Sequence, residues 1–375
     1  MIIGIDATNI TQGGGINHIK NILNNDNKQL LKFKKIIIWG NKETLKYINS
    51  KKNLKKIEVI HIKNNPIKRF IWQMYAFENE LKKFNCDHAL ILGGIFFFKN
   101  IPSTIIIQNL LPFDDLNVKK YRLIKKFKLY LQKKLLTKSI LTAKNIIFLS
   151  KSSKKIIFKK LNIKIKTYKL IPHGIESKII KKKIKKKQYS KKNKKFKILY
   201  VSKIEFYKNQ IDLIKVGYEL TKKKYNFSID FIGPAYEPAL KKFLRFQNIY
   251  DPDKKYTKYI GNQSFKNTLN SYKKHDLHVV PSTCETFGQI VLEAMACGIP
   301  NACSNIEVFR EITDNNASFF KKNNIKDMSR VVERLMISSR LRHKISVNAI
   351  DYLKKNYSWK KTSEETFKLI RNYKC

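Results

Sequence analysis

The chain has 375 residues and carries 78 Lys and Arg against 28 Asp and Glu, a formal net charge of +50. Its 43% hydrophobic residues exclude a disordered chain, and its length favours two domains of ordinary size. The N-terminus starts with an apolar strand pattern, and no uninterrupted apolar run of about 18 residues follows, so we expect neither a signal peptide nor a membrane span.

The positive charge has two explanations. Because the lysines are spread over most of the chain, the first is a solvated surface whose composition has drifted. The second is an anionic partner, nucleic acid or an anionic membrane surface. No nucleic-acid-binding module is evident, so no nucleic acid is expected as a partner. The five cysteines form no CxxC pair, which favours a reduced, cytoplasmic location.

In the first half of the chain, short β-branched runs alternate with helical patterns. A helix is predicted over 15–25, and strands are predicted over residues 1–8, 35–40, 57–62, 89–94, 103–109 and 145–150. Because these strands are apolar on both faces, they indicate a parallel sheet covered by helices on each side. We therefore predict a Rossmann-like domain over residues 1–175.

Three consecutive glycines, Gly13, Gly14 and Gly15, follow the first predicted strand. Glycine permits a positive φ and a close backbone approach, so this loop suits either a bound diphosphate or a plain tight turn. The pattern is not G-x-G-x-x-G, which argues against a dinucleotide site.

Residues 119–145 place apolar side chains at helical spacing among lysines. Such a basic amphipathic helix either lies in a membrane interface or packs on the sheet with a lysine-rich outer face. We prefer packing on the sheet, and both interpretations predict a helix.

The composition changes at a basic run over 176–195, which predicts an exposed linker between the two domains. A second alternating α/β pattern follows over 196–355, and residues 356–375 form a terminal helix expected to pack back towards the first domain. The predicted fold class is therefore α/β, with two Rossmann-like doubly wound domains.

Two carboxylates stand out in "PSTCETFGQIVLEAMACGIP", residues 281–300. Glu285 lies in the loop that leaves a predicted strand, where open parallel sheets bind ligands. Glu293 lies in an otherwise apolar helical run, so burial obliges it to find hydrogen-bond partners or to be protonated. A protein amide would satisfy it, and so would the vicinal hydroxyls of a sugar. Phe287 and Gly288 begin the same helix, where backbone N–H groups suit a phosphate.

This stretch resembles the E-x7-E signature of the retaining family-4 glycosyltransferases, the glycosyl transferases group 1, whose GT-B fold places two Rossmann-like domains across a central cleft. The segments "ILYVSKIEFYKNQIDLIKV" and "YSWKKTSEETFKLIRNY" also resemble the family. The resemblance implies that Glu293 binds ribose and that Glu285 binds the transferred sugar, near the amides of Phe287 and Gly288. It implies that Lys203 and Lys208 face the diphosphate, although the family has Gly-Arg and Lys-Gly where this chain has Ser-Lys and Lys-Asn.

In the first domain, the resemblance implies that the glycine-rich loop closes over the donor. Gln108 and Asn109 stand where the family often has His-Asp near the reacting sugar, which assigns Gln108 a catalytic position and Asn109 a place in the cleft. His173 ends the first domain, where it either lines the cleft or serves the hinge.

We therefore expect a retaining enzyme that moves a sugar, expected to be a hexose, from a nucleotide-diphosphate sugar to a surface-glycan or lipid-linked acceptor, as in polysaccharide or lipopolysaccharide biosynthesis. The first domain would take the acceptor and the second the donor. No cofactor or metal is expected to be required, and the expected location is the cytoplasm, at the inner face of the membrane. The alternative is a basic protein that binds nucleic acid or a membrane surface without catalysis.

Overall fold

The computed structural model describes residues 1–11, 13–25, 27–62, 65–163, 167–181 and 195–372. The chain divides into two compact units. The first contains Met1–Phe113, Arg122–Gly174 and Tyr357–Cys375, and the second contains Asp114–Tyr121 and Ile175–Asn356. Most of the predicted linker, residues 182–194, lies outside the described residues.

Within its described residues, the first unit contains a sheet of seven strands in the order β3-β2-β1-β4-β5-β6-β7, and all neighbouring strands are parallel. The strands are β1 (Ile2–Asp6), β2 (Lys35–Gly40), β3 (Leu54–Glu58), β4 (His88–Ile91), β5 (Ser103–Ile107), β6 (Asn145–Phe148) and β7 (Tyr168–Leu170). The strand order reverses between β1 and β4, which is the mark of a doubly wound sheet.

The helices in the first half of the chain are α1 (Gly14–Asn24), α2 (Lys28–Leu31), α3 (Lys42–Leu45), α4 (Pro66–Ile71), α5 (Phe77–Lys83), α6 (Asp115–Val118), α7 (Leu123–Thr142) and α8 (Lys151–Leu161). A π-helical turn, Trp72–Ala76, joins α4 to α5. The strand predicted over 57–62 is wrong in its second half, because β3 ends at Glu58 and a 3-10 turn follows over Ile60–Ile62.

The second unit contains, in its described part, a sheet of six parallel strands in the order β10-β9-β8-β11-β12-β13. They are β8 (Phe196–Val201), β9 (Phe227–Ile232), β10 (Thr257–Gly261), β11 (Leu277–Val280), β12 (Asn301–Ser304) and β13 (Ser318–Phe320). The remaining helices are α9 (Gln210–Lys222), α10 (Glu237–Tyr250), α11 (Phe265–Lys274), α12 (Gln289–Ala296), α13 (Glu307–Thr313), α14 (Ile325–Ile337), α15 (Ser339–Asn356) and α16 (Trp359–Arg371).

The predicted fold class is confirmed: both units are Rossmann-like α/β domains with doubly wound parallel sheets. The central strands explain why the sequence patterns were informative. Every residue of β4, β5, β6, β11 and β12 is buried, since helices cover both faces of each sheet.

The terminal helix α16 packs within the first unit, against α1 and α2. The Ser363 hydroxyl donates to the Ile22 carbonyl at 2.6 Å and accepts from the Asn27 amide at 2.9 Å. At Gly174 an added Cβ would lie 2.1 Å from the backbone nitrogen of Trp359. Only glycine allows the chain to pass this close to the start of α16.

Candidate functional site

Two loops meet at the edge of the second sheet where the strand order reverses. β8 and β11 are neighbours, and residues 202–209 and 281–288 leave their carboxyl ends. The Thr283 N–H donates to the Tyr207 carbonyl at 2.8 Å, which joins the loops. Doubly wound sheets bind ligands at such a switch point, so this edge is the candidate site.

Lys208 and Glu285 are brought together across these loops. Lys208 Nζ lies 2.5 Å from Glu285 Oε1, and the two side chains are only 13% and 11% exposed. Burial lowers the pKa of Lys208, but the attraction and hydrogen bond of Glu285 outweigh it, so that pKa is raised. Lys208 is therefore a largely buried cation that is paired with the carboxylate predicted to contact the sugar.

The residue after Lys208 explains one departure from the family pattern. Asn209 adopts the left-handed conformation, with φ 52° and ψ 37°, at the start of α9. Among residues with a side chain, asparagine enters this region at unusually low cost. Asparagine therefore preserves the backbone shape at a position where the family has glycine.

Lys203 pairs with a carboxylate that sequence reasoning missed. Its Nζ lies 3.1 Å from Glu205 Oε1; the Lys203 side chain is 44% exposed and that of Glu205 is 6% exposed. The Tyr121 hydroxyl donates to Glu205 Oε2 at 2.7 Å, and burial together with this bond raises the pKa of Tyr121. An acidic residue between Ile204 and Phe206 was the available signal, because a carboxylate flanked by apolar residues is often buried and paired.

Glu293 lies on α12 and is 8% exposed. Burial raises its pKa to about 8; a hydrogen bond with Tyr272 opposes this shift, and the charge of Glu176 adds to it. The Tyr272 hydroxyl also lies 3.2 Å from the Ile290 carbonyl, to which it donates. Burial therefore outweighs the hydrogen bond with Tyr272 and favours the uncharged carboxyl group of Glu293.

Gly288 is the N-cap of α12 and has φ 92°. An added Cβ would lie 2.9 Å from a ring carbon of Phe309, so glycine is required here both for its conformation and for space. Phe287 is buried, and the contact of its amide and that of Gly288 with a ligand stays a prediction.

The segment Asp114–Tyr121 supports the same loops from a distant part of the sequence. Thr283 Oγ1 donates to Asn117 Oδ1 at 3.1 Å, and the Asn117 amide donates to Asp114 Oδ2 at 2.7 Å. With the bond from Tyr121 to Glu205, this segment contacts both loops of the candidate site.

In the first unit, the glycine loop begins α1. Gly13 has φ 66°, and a Cβ added to Gly13 or Gly14 would meet nothing within 4 Å, so this backbone is open. Gly15 instead packs on Ile10. Either predicted role, diphosphate contact or tight turn, is compatible with this geometry.

Gln108 and Asn109 follow β5. Asn109 Oδ1 accepts from the Leu111 N–H at 3.0 Å, which stabilises the next turn, and Gln108 is half-buried. These two residues therefore lie at the carboxyl end of a strand, where ligands of such sheets bind.

His173 is buried against His18 and Trp359 in the first unit. The Nδ1 atoms of the two histidines are 2.8 Å apart, which requires one to donate and the other to accept. Burial lowers the pKa of His18 to about 4 and also lowers that of His173, so both rings are neutral. His18 is therefore packed in the interior of the first unit.

Within the described residues, no group of three or more His, Cys, Asp or Glu side chains could hold a metal ion. No helix in the part of the chain that the structure describes is long and apolar enough to cross a membrane. That the protein needs no metal or cofactor stays a prediction.

Comparison with known proteins relates this chain to sugar transferases. An uncharacterized glycosyltransferase of Methanocaldococcus jannaschii is 28% identical over 139 residues, which is 36% of this chain and 38% of that relative. HepE of Anabaena, solved with UDP-glucose, superposes with a TM-score of 0.72 over 100% of both chains at 12% identity. WaaG, a glycosyltransferase involved in lipopolysaccharide biosynthesis, gives 0.72 over 99% of both chains at 12% identity.

These structural likenesses concern the fold, since the sequence identities are low. The family comparison is more specific, because the model of the glycosyl transferases group 1 matches residues 181–352, which include the loops of Lys203, Lys208 and Glu285 as well as Glu293. Residues 181–352 of this chain are therefore similar to the domain of the glycosyl transferases group 1.

Proposed function

We propose that this protein is a retaining glycosyltransferase that moves a hexose from a nucleotide-diphosphate sugar to a surface-glycan or lipid-linked acceptor. The observation that carries the proposal is the largely buried pair of Lys208 and Glu285 at the switch point of a sheet within the matched residues. A donor would offer each member of this pair a further partner, a diphosphate for the cation and sugar hydroxyls for the carboxylate.

Each charged group has a role in binding the donor. Lys208, and Lys203 at the more exposed rim, would face the diphosphate, since both follow the same strand. Glu285 would then accept hydrogen bonds from the sugar. Glu293 would lose its proton on binding and accept from the two ribose hydroxyls, since charge-assisted hydrogen bonds offset the cost of burying the ionised carboxylate.

The transfer itself needs little from side chains. The bond between the anomeric carbon and the diphosphate oxygen breaks, and the acceptor oxygen bonds to the same face of that carbon while its proton passes to the departing phosphate. The developing negative charge on the diphosphate is stabilised by Lys208 and Lys203, which are already oriented by their carboxylate partners. Gln108 would position substrate rather than act as a base.

The acceptor belongs to this proposal as well. The likeness to WaaG, which is involved in lipopolysaccharide biosynthesis, supports a glycan or lipid-linked acceptor. The likeness to HepE, solved with UDP-glucose, supports a uridine diphosphate donor as the first to test.

A thermal-shift panel of UDP, GDP and ADP and their sugars tests the donor. Ligand at 100 times its Kd should raise the free energy of unfolding by about 2.7 kcal/mol. Glu293→Ala should lose this stabilisation. Glu237→Gln, which alters a 68% exposed carboxylate of the same unit, should keep it.

The proposal fails if no nucleotide or nucleotide-sugar raises the melting temperature while duplex DNA does, because that result favours a nucleic-acid-binding protein. Donor binding without transfer to any glycan or lipid-linked acceptor would leave a nucleotide-sugar-binding protein without catalysis.

A further inference from the structure

Helix α7 is apolar on two faces. One face is buried in the first unit through Leu129, Leu136 and Ile140. The other face carries exposed side chains: Leu123 (80%), Ile124 (76%), Phe127 (67%), Tyr130 (53%) and Leu131 (43%). These residues are one, three or four positions apart along the helix, which places them on one stripe of its surface. The outer face of α7 is therefore not simply a lysine coat.

Basic residues lie beside this exposed stripe and continue it along the helix. Lys128, Lys134 and Lys138 are exposed, and the ammonium group of Lys134 lies 4.8 Å from the centre of the Tyr130 ring. No Asp or Glu occurs within Leu123–Thr142. The exposed face therefore combines large apolar groups with positive charge and no negative charge.

A second set of exposed apolar residues lies on α4 and the π-helical turn that follows it, also in the first unit. Ile67, Ile71 and Tyr75 are 70%, 49% and 68% exposed and recur every four residues. A contiguous exposed apolar surface usually marks an interaction site, since water would otherwise have to solvate it.

The charge of α7 identifies the partner. A second copy of this chain would place lysines against lysines, which repel, and nucleic acid would leave the leucines and phenylalanine in water. An anionic membrane accepts both features, because acyl chains take the apolar side chains while headgroups attract the lysines.

We propose that α7 docks the first unit on an anionic membrane, lying along the interface rather than crossing it. The exposed residues of α7 would enter the boundary between headgroups and acyl chains, and the lysines would remain among the headgroups. This inference does not rest on the transfer reaction, because it can be tested without donor or acceptor.

Vesicle co-sedimentation tests the inference. The triple variant Leu123→Ser, Ile124→Ser and Phe127→Ser should bind vesicles of phosphatidylcholine and phosphatidylglycerol with at least about tenfold lower affinity, since each lost side chain removes favourable apolar transfer. The matched control Leu31→Ser, Ile249→Ser and Ile337→Ser removes residues that are 76%, 57% and 62% exposed elsewhere and should bind as the wild type does.

Salt separates insertion from attraction by charge alone. With a net charge of +50, any surface of this protein is attracted to anionic vesicles at low salt. Raising the salt screens that attraction, so binding that persists in the wild type and is lost in the triple variant reports inserted apolar groups.

A fluorescent reporter places the contact on α7. Trp39, Trp72 and Trp359 are all buried, so an added Phe127→Trp reports a new, exposed position. Its emission should shift to the blue with anionic vesicles, whereas that of Ile249→Trp should not. Equal binding by both triple variants, or no blue shift, overturns the proposal. So does a wild type that self-associates without vesicles while the α7 variant stays monomeric, since the stripe is then an interface between copies.

Discussion

Replacing Glu293 with glutamine removes a carboxyl group that the fold holds uncharged at neutral pH. Burial raises the pKa of Glu293 from 4.5 to about 8, against an opposing hydrogen bond with Tyr272. In the unfolded chain the same group ionises near its ordinary pKa. Between those two values the folded protein therefore holds one proton more than the unfolded protein.

The sign and size of the effect follow from this difference. Stability contributed by a group with a raised pKa is fully present below about pH 4.5 and falls as the pH rises towards 8. The slope is about 1.4 kcal/mol per pH unit, so the wild type should lose about 3 kcal/mol between roughly pH 5.5 and 7.5 through this group. Glutamine does not titrate and should lack this loss.

Urea unfolding of both proteins across that pH range measures the effect. Circular dichroism follows both units, whereas Trp39, Trp72 and Trp359 all lie in the first unit, so their fluorescence provides an internal control. The difference in unfolding free energy between Glu293→Gln and wild type should grow with pH in the second unit only. Parallel pH profiles for the two proteins would refute the buried, protonated carboxyl group.

Three further changes test the rest of the site. Lys208→Ala should destabilise the second unit by up to about 3 kcal/mol, since Glu285 is left largely buried and without its cation. Lys208→Met with Glu285→Leu should recover stability without donor binding, and a stable single variant would contradict the pairing. Gly288→Ala should lower the free energy of unfolding, measured in urea, by about 1–3 kcal/mol, because alanine is strained at a φ of 92°. Gly14→Ala is the control and should lower it far less, since a Cβ there meets nothing within 4 Å. Tyr121→Phe removes the hydroxyl that donates to the buried carboxylate of Glu205 and should lower the free energy of unfolding by about 1.5–3 kcal/mol. An unchanged free energy of unfolding would show that this hydrogen bond does not stabilise the fold.

Local patterns in the sequence were enough to predict much of the fold. Strands that are buried on both faces have continuous apolar runs in the sequence. For that reason β5 and β6 lie close to their predicted ranges. The prediction over 57–62 failed because apolar β-branched residues also occur in a 3-10 turn, where spacing does not distinguish the two.

The candidate site could be predicted only in part. The pattern around Glu285 and Glu293 was local, so it was visible in the sequence. The apolar neighbours of Glu205 signalled its burial, but its partner Tyr121 could not be predicted, because Tyr121 lies 84 positions earlier in the chain. Contacts of that kind leave no periodic signal in a single sequence.

By itself, the sequence determined the alternation of strands and helices, the apolar faces and the isolated carboxylate of Glu293, since each depends on near neighbours in the chain. Only the tertiary structure decided that Lys208 lies against Glu285, that Asp114–Tyr121 packs on the second unit, and that α7 keeps a second apolar face exposed. The physical reason is that burial and ion pairing are properties of three-dimensional contact, so residues distant in the chain decide which charges are neutralised and which apolar groups remain in water.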